Sequence, residues 1–306
     1  MVYEKKSLTK NNNPCEKRYY TIRTLKDGDK TMALNLMYIT NDTRIAKIAE
    51  DNGVNWIFVD LEINGKKERQ GYLNTVISRH HIEDVRKIKN VLNSSKLLVR
   101  INPIYHGSKK EIDRVIDYGA DIIMLPFFKC KEEAENFISY VDRRAKTMLL
   151  VETPEAVENV DDILNVDGID YAYIGLNDLH IGYKMKFMFE LLADGTVEKI
   201  CNKIKKAGIP YGFGGIAQLG KGDLPAEYII AEHYRLGSSM AILSRSFCDT
   251  RLLNDIKLIN ETFYIGVKGI REYEKKLINK DEKFFIDNQI NIINKVAEIK
   301  NNLSRT

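Results

Sequence analysis

Cysteine is scarce in these 306 residues, and the four present (Cys15, Cys130, Cys201 and Cys248) never form a Cys-x-x-Cys pair. That spacing excludes a disulfide framework and a thiolate zinc site, and it fits reduced thiols in a cytoplasmic protein. With 6 prolines and 19 glycines, collagen-like and low-complexity classes are excluded as well. No run approaches the roughly 18 apolar residues of a membrane helix, and the opening MVYEKKSLTKNNNP has no apolar centre of a secretion signal. Neither sign of charge dominates, since 47 basic residues against 43 acidic leave a net +4. The two signs interleave in KKEIDRVID (109–117) and KCKEEAEN (129–136), the pattern of solvated helix faces. No nucleic acid and no membrane is expected as a partner.

What is present is a core-forming composition, 44% hydrophobic, arranged in a regular rhythm. Residues 1–31 are polar and read as an irregular arm. From Met32, short apolar runs rich in β-branched and aromatic residues alternate with helical patterns. The expected strands are 32–38, 56–62, 97–103, 121–127, 147–153, 171–177, 210–217 and 234–240. Between them, segments such as 43–53, 82–93, 109–119 and 132–145 repeat apolar residues three or four apart, which places them on one helix face. Gly53 and Gly119 stand where a helix must stop, and Thr153-Pro154 reads as an N-cap followed by a first helical residue.

Strands that are apolar throughout and joined by helices imply a parallel sheet covered on both faces. A doubly wound sheet would carry a glycine-rich turn after its first strand, and YITNDTR (38–44) has none. The fold class is therefore α/β, a (β/α)8 TIM barrel over residues 32–247. Residues 248–306 read as a C-terminal helical extension, either packed on a neighbouring subunit, which makes the protein a homo-oligomer, or frayed and exposed.

Barrel chemistry belongs at the C-terminal ends of the strands. There the sequence places Asp60 and Glu62, Arg100 and Asn102, Glu152, and Asn177 and Asp178 followed by His180. One strand-end carboxylate ordinarily just caps the next helix. Charge at the ends of four apolar strands is harder to explain by capping, because burying it is costly unless it is paired or bound. Two carboxylates, Glu152 and Asp178, with few histidines suit a hard divalent cation, Mg²⁺ first, then Mn²⁺ or another divalent ion. Arg100 can hold an enolate or carboxylate oxygen, or form a structural ion pair with Asp60 or Glu62. The glycines of GFGGIA (212–217) and the hydroxyls of LGSS (236–239) can receive an anion or simply allow close packing.

The runs GVNWIFVDLE (53–62), LLVRINP (97–103), YGADIIMLPFF (118–128), LLVETPEAVENVDDILNVDGIDYAYIGLNDL (149–179) and EHYRLGSSMAIL (232–243) resemble the HpcH/HpaI aldolase and citrate lyase beta-subunit family. The resemblance spans about Met32 to Phe247 and implies a metal-binding barrel that handles pyruvate-like enolates. It implies that Glu152 and Asp178 ligate the metal and that Arg100 contacts substrate and enolate. Backbone N–H groups at Gly175, Leu176 and Asn177 would take the carboxylate of a 2-oxo acid. In aldolases of this family a histidine follows the glutamate matching Glu62; here Ile63 stands there, and Leu150 replaces a glutamine. Glu62, His106 and His180 are the candidates for proton transfer. His80-His81 reads as surface, and Lys66, Lys67 and Arg69 as a solvated loop able to meet an anionic second substrate. The expected activity is metal-dependent carbon–carbon cleavage or aldol addition on a 2-oxo acid, with an unidentified aldehyde for which a sugar-derived or phosphorylated one is an option. Acyl-CoA lyase chemistry of the citryl or malyl type, and a barrel retired from catalysis, are the alternatives.

Overall fold

The computed structural model describes residues 33–64, 80–250, 252–253 and 255–303. The expected arm, Cys15 and the loop residues Lys66, Lys67 and Arg69 lie outside the described residues.

Eight parallel strands close into a barrel in chain order: β1 (Asn35–Ile39), β2 (Trp56–Asp60), β3 (Lys96–Arg100), β4 (Ile122–Leu125), β5 (Lys146–Val151), β6 (Tyr171–Ile174), β7 (Tyr211–Ile216) and β8 (Met240–Leu243). The outer layer comprises α1 (Thr43–Asp51), α2 (Ile82–Lys89), α3 (Ser108–Asp117), α4 (Lys131–Val141), α5 (Pro154–Glu158) and α6 (Val160–Ile163). It continues with α7 (Leu176–Gly182), α8 (Glu190–Ala193), α9 (Thr196–Lys206) and α10 (Ala226–Leu236). Two long helices follow, α11 (Ile256–Leu277) and α12 (Glu282–Leu303). Among the described residues, no helix is long and apolar enough to cross a membrane.

Local signals explain the boundaries. Asp42 caps α1 by accepting the N–H groups of Arg44 and Ile45, and Thr153 Oγ1 accepts from Ala156 with Pro154 in the first turn. Gly53 and Gly119 adopt φ of +88° and +93°, the left-handed turn that ends a helix and releases the chain into a strand. The expected eighth strand is displaced. Tyr234 and Leu236 finish α10, Gly237 turns the chain at φ +78°, and the strand begins at Met240. The apolar end of a buried helix had the appearance of a short strand, since the two cannot be told apart by periodicity over so few residues.

The strands have two apolar faces. Leu36, Ile57, Val59 and Val99 face the helices, whereas Met37, Trp56, Phe58, Leu98, Met148 and Leu150 fill the barrel interior. Side chains alternate along a strand, so the inward series 56, 58 reaches Asp60, the series ending at 98 reaches Arg100, and 148, 150 reaches Glu152. The polar residues at the barrel mouth are thus the last inward-facing layer. Near that mouth the β7–β8 register slips between Gly212 and Gly215. Tyr173 reaches across to repair it, donating to the Gly214 carbonyl and accepting the Ile242 N–H at 2.9 Å.

The C-terminal helices pack on this chain's own barrel. Glu274 accepts the Leu34 N–H at 2.8 Å, and Arg271 donates to the Leu34 carbonyl at 2.8 Å, pinning the entry to β1. Asn288 donates to the Tyr228 carbonyl at 3.0 Å, and Lys300 reaches Glu190 at 2.6 Å, fastening α12 to α10 and α8. Their inner faces, including Phe263, Ile270 and Ile292, are buried here. Only outer faces are left to a neighbouring subunit.

His233 on α10 is fully buried, stacked on Phe213 with ring centroids 3.8 Å apart, its Nδ1 2.7 Å from Ser238 Oγ. Burial alone pushes its pKa down to about 3 from 6.5. The unfolded chain binds this proton and the folded one does not, so stability is lost as pH falls from 6.5 toward 3. The slope approaches about 1.4 kcal/mol per pH unit. Denaturant unfolding of the unaltered protein and of His233→Gln between pH 4 and 7 reads this directly. The stability difference between them should move against the unaltered protein at about that slope as pH falls; a pH-independent difference would refute it.

Candidate active site at the barrel mouth

Asp60, His80, Arg100, Glu152, Asp178 and Arg245 line one cavity of about 1340 Å³ at the C-terminal end of the barrel. Its floor is the inward layer of β2, β3 and β5. Arg100 is held there by a fork: Nε donates to Asp60 Oδ1 and Nη2 to Asp60 Oδ2, both at 2.8 Å. Its Nη1 stands 3.3 Å from Glu62 Oε2, and the guanidinium carbon lies 5.7 Å from the Phe58 ring centre. Burial opposes the arginine's charge, but Asp60, Glu62 and Glu152 outweigh it and hold the group well above its ordinary pKa. Of five N–H bonds, two go to Asp60 and one faces Glu62, which leaves one on each η nitrogen for a ligand. The structural ion pair and a ligand-binding role therefore coexist.

Glu152 is 2% exposed. Burial drives its carboxyl well above the ordinary range; Arg100 pulls it back, while Asp178 and Glu62 push it further up. Two backbone devices accommodate it. The Phe127 N–H donates to Oε1 at 3.0 Å, with Phe127 itself in the left-handed region at φ +49°. Opposite, a Cβ on Gly175 would stand 2.7 Å from Oε2, so only glycine leaves room for that oxygen. Asp178 enters from the first turn of α7, half-buried.

Among the described residues, no group of three or more acidic, histidine or cysteine side chains gathers closely enough to hold a metal ion by itself. Glu152 and Asp178 form a pair. A hard cation on such a pair would draw its other ligands from water and substrate oxygens. The donor chemistry fits, because a buried carboxylate repelled by two others is relieved by a cation, and the bare Gly175 keeps Oε2 clear.

The remaining expected residues divide. Glu62 is 1% exposed, its N–H donating to Asp60 Oδ1 at 3.2 Å. Gly175 gives its N–H to the Val151 carbonyl at 3.0 Å, so backbone recognition falls to Leu176 and Asn177, whose first-turn N–H groups have no acceptor within α7. His106 is exposed beside Tyr105, and His180 sits 3.2 Å from the Leu176 carbonyl of its own helix; neither lines the cavity. His80, read from sequence as surface, does line it, and its Nδ1 accepts the Asp60 N–H at 3.0 Å. No sequence signal marks His80 or Phe127 for these places.

The charge balance predicts unequal outcomes for two carboxylates. Asp60→Asn strips Arg100 of its fork and should destabilise the protein by about 3–5 kcal/mol. Asp178→Asn relieves repulsion at Glu152, so its cost in EDTA should be well below that of Asp60→Asn. Differential scanning calorimetry of both variants checks this; an equal loss in Asp178→Asn contradicts the repulsion.

The family profile described as HpcH/HpaI aldolase/citrate lyase matches residues 35–213. A 2-keto-3-deoxy-L-rhamnonate aldolase of Escherichia coli K12 is 25% identical over 225 residues, covering 63% of this chain and 78% of the relative. The crystal structure of an HpcH/HpaI aldolase from Desulfitobacterium hafniense DCB-2 superimposes with a TM-score of 0.56 at 18% identity, over 75% of this chain and 93% of that one. A family protein from Burkholderia cenocepacia J2315 gives 0.57 at 14% identity, over 76% and 96%. Closed barrel, strand-end charges and profile agree, and this chain belongs to the HpcH/HpaI aldolase/citrate lyase family.

Proposed function

We propose that the protein is a divalent-metal-dependent aldolase that makes and consumes the enolate of a pyruvate-type 2-oxo acid. The observation that carries this reading is one forked arginine buried beside the Glu152–Asp178 pair on the floor of an open cavity. Magnesium or manganese held by Glu152 and Asp178 would supply Lewis acidity toward the oxygens of the oxo acid. Arg100 directs its two η N–H groups at the oxygen where enolate charge grows, and Asp60 keeps the guanidinium from turning. Leu176 and Asn177 offer first-turn N–H groups to the substrate carboxylate. Glu62, buried beside Arg100 and not itself on the cavity wall, would take the aldol hydroxyl proton through an intervening water as the carbon–carbon bond breaks and the aldehyde departs. The proton then returns to the enolate carbon.

A relative whose name specifies a 2-keto-3-deoxy sugar acid supports a sugar-derived aldehyde as partner. The same reading includes a cytoplasmic homo-oligomer, for which Tyr264 and Ile265, both more than half exposed on α11, offer an apolar outer face.

The test is exchange of pyruvate methyl protons for deuterium, followed by NMR with Mg²⁺, Mn²⁺ or EDTA. Exchange should need the metal and fall at least about 100-fold in Glu152→Gln and in Arg100→Ala. No exchange with either metal overturns the reading. Gly175→Ala, which drives a methyl group into the Glu152 carboxylate, should weaken metal binding measured calorimetrically by about tenfold or more.

A further inference from the structure

Past β2 the chain leaves the barrel through Leu61, Glu62, Ile63 and Asn64, and each of these backbone N–H groups has a fixed acceptor. Leu61 donates to the Arg100 carbonyl at 2.9 Å, and Glu62 to Asp60 Oδ1 at 3.2 Å. Ile63 and Asn64 both donate to one atom, Asn102 Oδ1, at 3.0 Å each. Packing does not hold this end of the segment, because Ile63 is 58% exposed and Asn64 is exposed as well. Its place rests on one amide oxygen.

That oxygen is itself aimed. Asn102 is buried two residues past Arg100, and Pro103 after it favours extended backbone there. Its Nδ2 donates to Glu111 Oε1 at 2.8 Å, and its own N–H reaches the same oxygen at 3.3 Å. Glu111 comes from the first turn of α3. Burial raises its pKa, and the two bonds from Asn102 favour the ionised carboxylate. An ionised carboxylate takes only donors, so the amide nitrogen must face Glu111 and the amide oxygen must face the segment after β2.

Resting on the aldolase reading above, we propose that Asn102, turned by Glu111, is a positioning residue for Glu62 and holds in place the carboxylate that moves the proton. Glu62 lies between two anchors: Asp60 Oδ1 takes its N–H, and Asn102 takes the N–H groups of Ile63 and Asn64. Its Oε2 is thereby kept 3.3 Å from Arg100 Nη1. A carboxylate that works through a water must keep two hydrogen bonds in line instead of one. Misplacing such a group by about 1 Å costs about 100-fold in rate. Neither Asn102 nor Glu111 lines the cavity, and both act at one remove from the substrate.

Two double variants separate this role from a merely structural one. Asn102→Asp keeps an oxygen for Ile63 and Asn64 at nearly the same volume but sets a carboxylate against Glu111. Adding Glu111→Gln restores a donor facing an acceptor and the original total charge. The probe is pyruvate deuterium exchange with Mg²⁺, which follows the proton that Glu62 returns to the enolate carbon. In Asn102→Asp, kcat for exchange should fall about 30- to 100-fold, with KM for pyruvate and calorimetric Mg²⁺ affinity within about threefold. Adding Glu111→Gln should recover at least about tenfold of that loss. In a Glu62→Gln background, the same Asn102→Asp change should cost less than about threefold more, because the group it positions is already gone. Full kcat in Asn102→Asp, no recovery with Glu111→Gln, or an undiminished cost in the Glu62→Gln background overturns the proposal. So does a loss of Mg²⁺ affinity in step with kcat. Backbone amide exchange followed by NMR reads the hold without any reaction: Ile63 and Asn64 should exchange at least about tenfold faster in Asn102→Asp. Unchanged protection there also overturns the proposal. Absence of pyruvate exchange in the unaltered protein overturns the aldolase reading instead, and the amide measurement then decides by itself whether Asn102 holds the segment.

Discussion

The forked pair between Arg100 and Asp60 is the interaction on which the mouth of this barrel depends. A guanidinium taken from water loses several kcal/mol of hydration, and only well-placed carboxylates offset that loss. Asp60 meets the requirement in the most directional way, with two parallel 2.8 Å bonds. Its other atoms are engaged too. Asp60 Oδ1 accepts the Glu62 N–H and its own N–H reaches His80, so three residues, with Arg100, take their positions from one aspartate. A packed apolar layer would stabilise the barrel as well or better, and this pair is therefore best understood through the chemistry it positions.

The alternation of side chains along a strand puts that pair where it is. Trp56 and Phe58 plug the barrel, and the next inward position is Asp60; Leu98 is followed by Arg100, and Leu150 by Glu152. The ends of β2, β3 and β5 thus exchange an apolar plug for a charge at one register step. The floor of the cavity is apolar and buried beneath a charged layer, which lowers the local dielectric and lengthens the reach of every charge above it.

This alternation is why so much was legible in the sequence. Apolar runs ending in Asp60, Arg100 and Glu152 announced both a parallel barrel and the rim that carries its chemistry. Gly53, Gly119 and Thr153-Pro154 marked turns through local sterics and capping, which need no tertiary knowledge. The end of α10 resembles a strand in the sequence because Tyr234 and Leu236 are buried whatever element they belong to, and an apolar pattern reports burial alone. His106 and His180 lie beside strand ends in sequence, yet the loop turn at His106 and helix α7 at His180 direct those side chains away from the cavity. His80 is silent in the sequence for the complementary reason. Its contact is with the backbone of a residue twenty positions away, and no side-chain pattern encodes that. Phe127 is harder still, since left-handed backbone is normally announced by glycine or asparagine and here an aromatic residue adopts it. The tail helices displayed apolar faces, but such a face does not say whose surface it meets.

A second buried cluster shows what separates a site from a strut. Arg235 donates to both oxygens of Glu232 and, through Nη1 and Nη2, to both oxygens of Glu198 at 3.0 Å. It too is one arginine among several acids. Burial raises the Glu232 carboxyl above its ordinary pKa, as it does for Glu152, although Arg235 and Asn288 pull it back. The difference lies in what completes each cluster. Helix α12 brings Asn288 to Glu232 and Gln289 to Glu198, two amide donors that close the network against the barrel wall. At the mouth, Glu152 receives one N–H from a residue held in a strained conformation, and its other oxygen is kept clear by the missing side chain of Gly175. Holding an aromatic residue left-handed costs on the order of 1–3 kcal/mol, and a carboxylate kept short of donors costs more. The fold thus satisfies one cluster and deliberately leaves the other under-satisfied beside a cavity. Chemistry is assigned to the second because its remaining lone pairs are still directed at something that must come from outside.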